Sequence, residues 1–135
     1  MSEVNHITEL ERIQKLLQVD TLLVGDGQSL MEVASCLSSY NAYAGEQMSS
    51  FKKKLLEKKS FYYETFVFNA KAQGLEYFTP TLIKDYVSAK CSEEQYAYDL
   101  AERVSRSCVH AMDLLRTTIS YLKSEANNLN YGNTR

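Results

Sequence analysis

Residues 51–63 read FKKKLLEKKSFYY, which places Lys52, Lys53, Lys54, Lys58 and Lys59 close together and ends on Phe61, Tyr62 and Tyr63. Ammonium groups at this density neutralise successive phosphates, and aromatic rings beside them offer faces on which unpaired bases stack. The segment has the side chains of a surface for a single-stranded polyanion. A solvated helix midsection has a similar composition, with lysines fanned around an apolar stripe. One imbalance favours a partner. Glu57 is the sole acid inside the lysine run, and uncompensated like charges at i, i+4 mildly destabilise a helix.

Side chains suited to making and breaking bonds are few. His6 lies near the start of the chain, and His110 lacks the Glu-x-x-His partner of helical di-metal sites. Cys108 and His110 are two residues apart, which on a helix turns them about 200° from one another, too far round to act as nucleophile and base. Cys108 reads instead as a small core residue. Glu93, Glu94, Asp99, Glu102 and Asp113 alternate with Arg103, Arg106 and Arg116 at spacings that suit surface ion pairs. Gly25-Asp26-Gly27 has neither the lysine and hydroxyl of a phosphate loop nor the oxygen ligands of a calcium loop, and reads as a turn. These residues point to a protein without catalysis, metal or cofactor.

The basic run must be carried by a helix. Leu30, Val33, Leu37, Ala44, Met48, Phe51, Leu55, Tyr62, Phe66 and Ala70 recur by threes and fours, with Leu37, Ala44 and Phe51 against Met48, Leu55 and Tyr62 as a coiled-coil-like heptad seam. No proline interrupts residues 28–73, and at about 1.5 Å per residue the helix approaches about 70 Å. Gly45, inside it, suggests a close approach or a slight bend. Gly74 is the expected C-cap, and Thr79-Pro80 reads as an N-cap followed by proline at the first helical position. A second long helix then returns through Leu82, Ile83, Tyr86 and Val87 and on through Leu100, Val104, Cys108, Ala111, Leu115, Ile119 and Leu122. Ser92-Glu93-Glu94-Gln95 matches a capping box, so either a fresh helix starts after Cys91 or the helix is continuous. Ahead of the hairpin, Ile7, Leu10, Ile13 and Leu17 form a short amphipathic helix, broken by VDTLLVGDGQS; the tail from about 126 lacks periodicity and is expected to fray.

The 135 residues suit one helical domain spanning 1–135, with net charge −2. The balance is uneven: residues 51–90 carry eight basic and four acidic side chains, whereas residues 1–50 carry two and seven. A globally basic nucleic-acid binder is excluded, and a local basic stripe is retained. Cys36, Cys91 and Cys108 have no C-x-x-C spacing, which fits a reduced, cytoplasmic protein. MSEVNHITELERIQ is neither a signal nor a transit sequence, and no apolar run reaches the roughly eighteen residues of a membrane span. The expected fold is all-α, a short N-terminal helix plus a long antiparallel helical hairpin. Such a hairpin has narrow contact surfaces, so assembly into a helical homo-oligomer is expected. Tyr40, Tyr43, Tyr86, Tyr96, Tyr98 and Tyr121 border the apolar stripes and serve either that interface or the internal core.

The run LLEKKSFYYETF resembles the basic-then-double-tyrosine segment of the UvsY-type recombination mediators of T-even-like phages, at a similar distance from the N-terminus. VSAKC, followed by SCVHAMDLLRTTISYLKSE, is similar to that family's Val-x-Ser-Ala stretch and its later Cys-x-x-Ala-hydrophobic-Asp helix, and the likeness extends over about Leu30 to Glu125. The resemblance implies a helical, ring-forming phage protein acting in DNA recombination. It would bind single-stranded DNA, help displace single-strand-binding protein and load a RecA-like recombinase. Carried over by position, it implies that Lys58, Lys59, Tyr62 and Tyr63 hold DNA with Lys52, Lys53 and Lys54 adding attraction. By the same carry-over Met112, Leu115 and Ile119 on the last helix, continued by Leu122, join protomers. The competing expectation is a structural or adaptor protein, such as a phage virion component or assembly factor, whose lysines are only a wet face.

Overall fold

The structure is a computed structural model and describes residues 2–17, 27–74 and 79–133. These residues form four helices and no strand: α1 (Glu3–Leu17), α2 (Gly27–Ala72), α3 (Pro80–Lys90) and α4 (Ser92–Asn133). The Gly25-Asp26 part of the expected first turn lies outside the described residues, as do residues 75–78 between α2 and α3.

Packing follows the apolar spacing. Leu37, Ala44 and Phe51 of α2 are buried against Ala97, Leu100, Ala101, Val104, Cys108, Ala111 and Leu115 of α4, and Leu55 is buried against Ile83 and Val87 of α3 and Cys91. The two helices run antiparallel, so Leu30 and Leu37 meet Ala111 and Leu115, while Ala44 and Phe51 meet residues 97–108. Ser105 Oγ donates to Asn41 Oδ1 at 2.9 Å between the same helices. α1 lies antiparallel to α2 across the α2–α4 seam. Its Leu10 and Ile13 are almost wholly buried in the central cluster, and Leu17 reaches the cluster around Leu30. Two polar contacts fix its rotation: His6 Nδ1 lies 2.6 Å from Tyr43 Oη, and Tyr96 Oη donates to Glu11 Oε1 at 3.0 Å.

Gly74 takes φ +74°, and its N–H donates to Lys71 O at 3.1 Å, the left-handed close of a helix that only glycine adopts without strain. Thr79 caps α3 as expected, its Oγ1 accepting from Leu82 N at 3.2 Å with Pro80 at the first helical position. Of the two expectations at Gly45, the close approach is not met. A Cβ built there meets nothing within 4 Å among the described residues, so none of the described helices makes a close approach. The interruption after the third helix falls at Cys91, at φ −108° and ψ 18°. It is made without the reciprocal capping box, since the Gln95 amide donates forward to Asp99 Oδ1 at 2.9 Å. Instead Cys91 N–H is shared between Val87 O (3.0 Å) and Ser88 O (3.3 Å).

Of the six tyrosines beside the stripes, Tyr40, Tyr43, Tyr86 and Tyr98 pack against the internal clusters, whereas Tyr96 and Tyr121 are exposed. The tail, expected to fray from about 126, is helical to Asn133. Residues 121–129 are nonetheless all exposed, so this end of α4 is not buried by the rest of the chain.

Candidate nucleic-acid interface

At about 100° per residue, α2 places four of its five lysines on two flanks, with Lys53 between them, about 100° from both Lys52 and Lys54. Lys54 and Lys58 fall within about 40° of each other on one side, toward α1 and the start of α4. Lys52, Lys59 and Tyr63 fall within about 40° of each other on the opposite side, toward α3, with Glu57 and Glu64 turned about 120–140° away from Lys52.

On the first flank the lysines are neutralised by distant parts of the chain. Lys54 Nζ lies 3.6 Å from Glu3 Oε1, and Lys58 Nζ is hydrogen-bonded to Glu94 Oε1 on α4. The same ammonium stands 5.9 Å from the centroid of the Tyr62 ring. The Lys58 side chain is 34% exposed and that of Glu94 18%, and Glu94 Oε2 is buried without a hydrogen-bond partner among the described residues. Burial pushes the Glu94 carboxyl up, but the Lys58 hydrogen bond, its own backbone N–H and the Lys58 charge outweigh that, and the net shift is downward. Lys58 is shifted upward, chiefly by the hydrogen bond from its ammonium to Glu94. The imbalance read from the local sequence is therefore partly removed by the fold, because Glu3 and Glu94 supply acids that the run itself lacks.

Tyr62 belongs to this inward side. It packs against the cluster of Leu55, Ile83, Val87 and Cys91 and meets Phe61 edge to face at 5.3 Å. Tyr63 is 52% exposed. Lys52, Lys53 and Lys59 make no ion pair among the described residues, and Lys52 and Lys53 are exposed. The adjacent pairs Lys58-Lys59 and Tyr62-Tyr63, which the sequence reading grouped, are thus split between a structural contact and an open surface.

A groove of about 480 Å³ opens along the second flank, walled on the α2 side by Lys59, Ser60 and Tyr63 and on the α3 side by Ile83, Lys84 and Val87. Lys84 is exposed and has no ion pair among the described residues. Sequence reasoning missed it, because its relation to Lys59 exists only once α3 folds back on α2. The available signal was its place one turn after the Thr79-Pro80 start, on the same side of α3 as Val87.

Of the residues expected to join protomers, Leu115 is 4% exposed and packs with Leu30 and Leu37, and Met112 and Ile119 lie partly buried against the same cluster. Leu122 is 40% exposed. It lines a second apolar groove of about 460 Å³ with Leu30, Met31, Ile119 and Ala126.

The thiols of Cys91 and Cys108 are buried and pushed up by that burial, which makes them poor nucleophiles at neutral pH. Cys108 faces the core and His110 faces solvent. Among the described residues no three His, Cys, Asp or Glu side chains gather to hold a metal, and no helix is long and apolar enough to cross a membrane. No known family, curated protein or solved structure matches the chain.

Proposed function

We propose that the protein is a non-enzymatic accessory factor that binds single-stranded DNA along the α2–α3 flank and assists loading of a RecA-like recombinase onto strands covered by single-strand-binding protein. The observation that carries the DNA-binding part is a set of lysines without ion pairs among the described residues: Lys59 and Lys84, drawn from two helices, share a groove with the exposed ring of Tyr63, and Lys52 lies on the same flank of α2. Cations left unpaired around an aromatic ring suit a strand that brings both phosphates and unpaired bases. Lys53 adds to the local potential, while Lys54 and Lys58 are engaged with Glu3 and Glu94. The recombination role rests on the resemblance to the UvsY-type mediators, and in it the protein acts as a homo-oligomer, so that several weak sites engage one strand together.

The test is anisotropy of a labelled single-stranded oligonucleotide across a salt series, beside a duplex control. The expected result is salt-sensitive binding that favours the single strand, with the slope of log K against log salt shallower by about 0.7 for each phosphate contact removed in Lys52→Ala, Lys59→Ala and Lys84→Ala. Lys58→Ala is expected to leave that slope unchanged. Absence of binding at low salt sinks the proposal.

A second reading, a helical structural or adaptor protein, is favoured by one observation: Leu114, Tyr121, Leu122 and Leu129 of α4 are exposed large apolar residues. It predicts assemblies by light scattering and no salt-sensitive affinity for the oligonucleotide.

A further inference from the structure

The α2–α3 groove differs from the rest of the basic face in having depth. Its volume of about 480 Å³ falls within the roughly 300–1,000 Å³ of small-molecule sites. Its base is apolar, formed by Ile83 and Val87, which are 7% and 8% exposed. Charge sits on both sides, with Lys59 on the α2 wall and Lys84 on the α3 wall.

The polar inventory limits what can occupy it. Among the described residues, apart from the two lysines and the Tyr63 phenol, the side chains of the lining offer only the hydroxyls of Ser60 and Ser88. The backbone groups of both walls are already bonded within their helices. An extended peptide brings an N–H and a C=O with every residue, and these need partners that the groove lacks. A nucleobase presents two π faces that need only apolar or aromatic contact, and its flanking phosphates need cations on either side.

We infer that this groove is a base pocket, which receives one unpaired nucleobase of a single strand against Tyr63, Ile83 and Val87 while Lys59 and Lys84 neutralise the phosphates on either side of it. The inference rests on the proposed DNA binding and extends it. Preference for single strands arises from the pocket, because a duplex surrenders a base only by unstacking and unpairing it. With two serine hydroxyls as the neutral hydrogen-bonding groups beside the phenol, the pocket reads base edges weakly and tolerates any sequence.

The test compares a labelled oligothymidylate with an abasic deoxyribose-phosphate strand of equal length and charge. The wild-type chain is expected to bind oligothymidylate about tenfold more tightly than the abasic strand, as loss of one stacked base implies. Ser88→Phe, which fills the groove from α3 without altering charge, is expected to bring oligothymidylate down to the abasic affinity. Abasic binding and the salt slope should stay as they were. Tyr63→Leu, at a half-exposed position, is the second variant should Ser88→Phe not fold by circular dichroism. Equal wild-type affinity for both strands, or a preference that survives the variants, overturns the pocket while leaving the electrostatic surface standing. No affinity for either strand overturns both. Capture of a labelled aspartate-rich peptide carrying one phenylalanine, blocked by Ser88→Phe while both strands bind equally, gives the groove to a peptide and also overturns the inference.

Discussion

Removing the Lys58 ammonium leaves Glu94 with one oxygen already lacking a partner among the described residues and the other deprived of its cation, on a side chain only 18% exposed. Desolvation of an unpaired carboxylate is unfavourable, so Lys58→Ala is expected to lower the urea midpoint at neutral pH. Lys59→Ala should leave the midpoint unchanged and weaken DNA binding. Combining Lys58→Met with Glu94→Gln should recover much of the lost stability. The pH dependence has a definite sign. Glu94 is shifted below its ordinary value of 4.5 in the folded chain, so its contribution is present above about pH 4.5 and is lost as pH falls through the lowered folded value. Lys58 is shifted above 10.5, so its contribution is full below that pH and fades as pH rises through the raised folded value. The pair therefore stabilises across the neutral range, and Glu94→Gln should flatten the acid limb of urea midpoint against pH. An unchanged acid limb would show that the contact contributes nothing. A composition reading cannot separate Lys58 from Lys59. The wheel position of each was legible, but the carboxylate that claims Lys58 lies 36 residues away, and its arrival depends on the α2–α4 register.

Three element-level features test why these helices begin and end where they do. Gly74, at φ +74°, was legible because only glycine closes a helix in the left-handed region at no cost; Gly74→Ala should destabilise by about 1 kcal/mol. Thr79→Ala removes the acceptor for Leu82 N and should cost about 1 kcal/mol by urea denaturation. Gly45→Ala should act in the opposite direction. The new methyl meets nothing within 4 Å among the described residues, and the unfolded chain loses freedom, so a gain of about 0.5–1 kcal/mol is expected. A loss would mean that the position is tighter than the structure shows. The sequence suggested a close approach or a slight bend at Gly45 because a helical glycine is unfavourable unless something requires it, yet propensity carries no record of what lies opposite. The break at Cys91 was legible only as one of two alternatives. Its cause is a shared backbone hydrogen bond, and the Ser-x-x-Gln pattern that suggested it is not used as a box.

On the scale of the whole molecule, α4 outruns its partner. Counted at 100° per residue, Leu122, Ala126 and Leu129 lie within about 40° of Val104, continuing the stripe that buries Val104, Cys108, Ala111 and Leu115. α2 covers that stripe with Leu30 and Leu37 against Ala111 and Leu115. Beyond, Leu122 is 40% and Leu129 69% exposed, and Met31 on α2 is 72% exposed. The apolar pattern thus extends further than the described fold buries it, which is the physical basis for proposing that protomers associate through this end. The four residues expected to serve assembly then separate by experiment. Leu115→Ala removes a side chain that is 4% exposed inside the chain's own core and should cost about 2–5 kcal/mol, whatever the assembly state. Leu122→Glu with Leu129→Glu alters surface residues and should leave the helical content by circular dichroism unchanged while reducing the mass measured by light scattering to that of a single chain. If the wild-type chain is already a monomer at tens of micromolar, the stripe at the end of α4 joins no protomers, and the multivalent hold on a single strand must be abandoned with it.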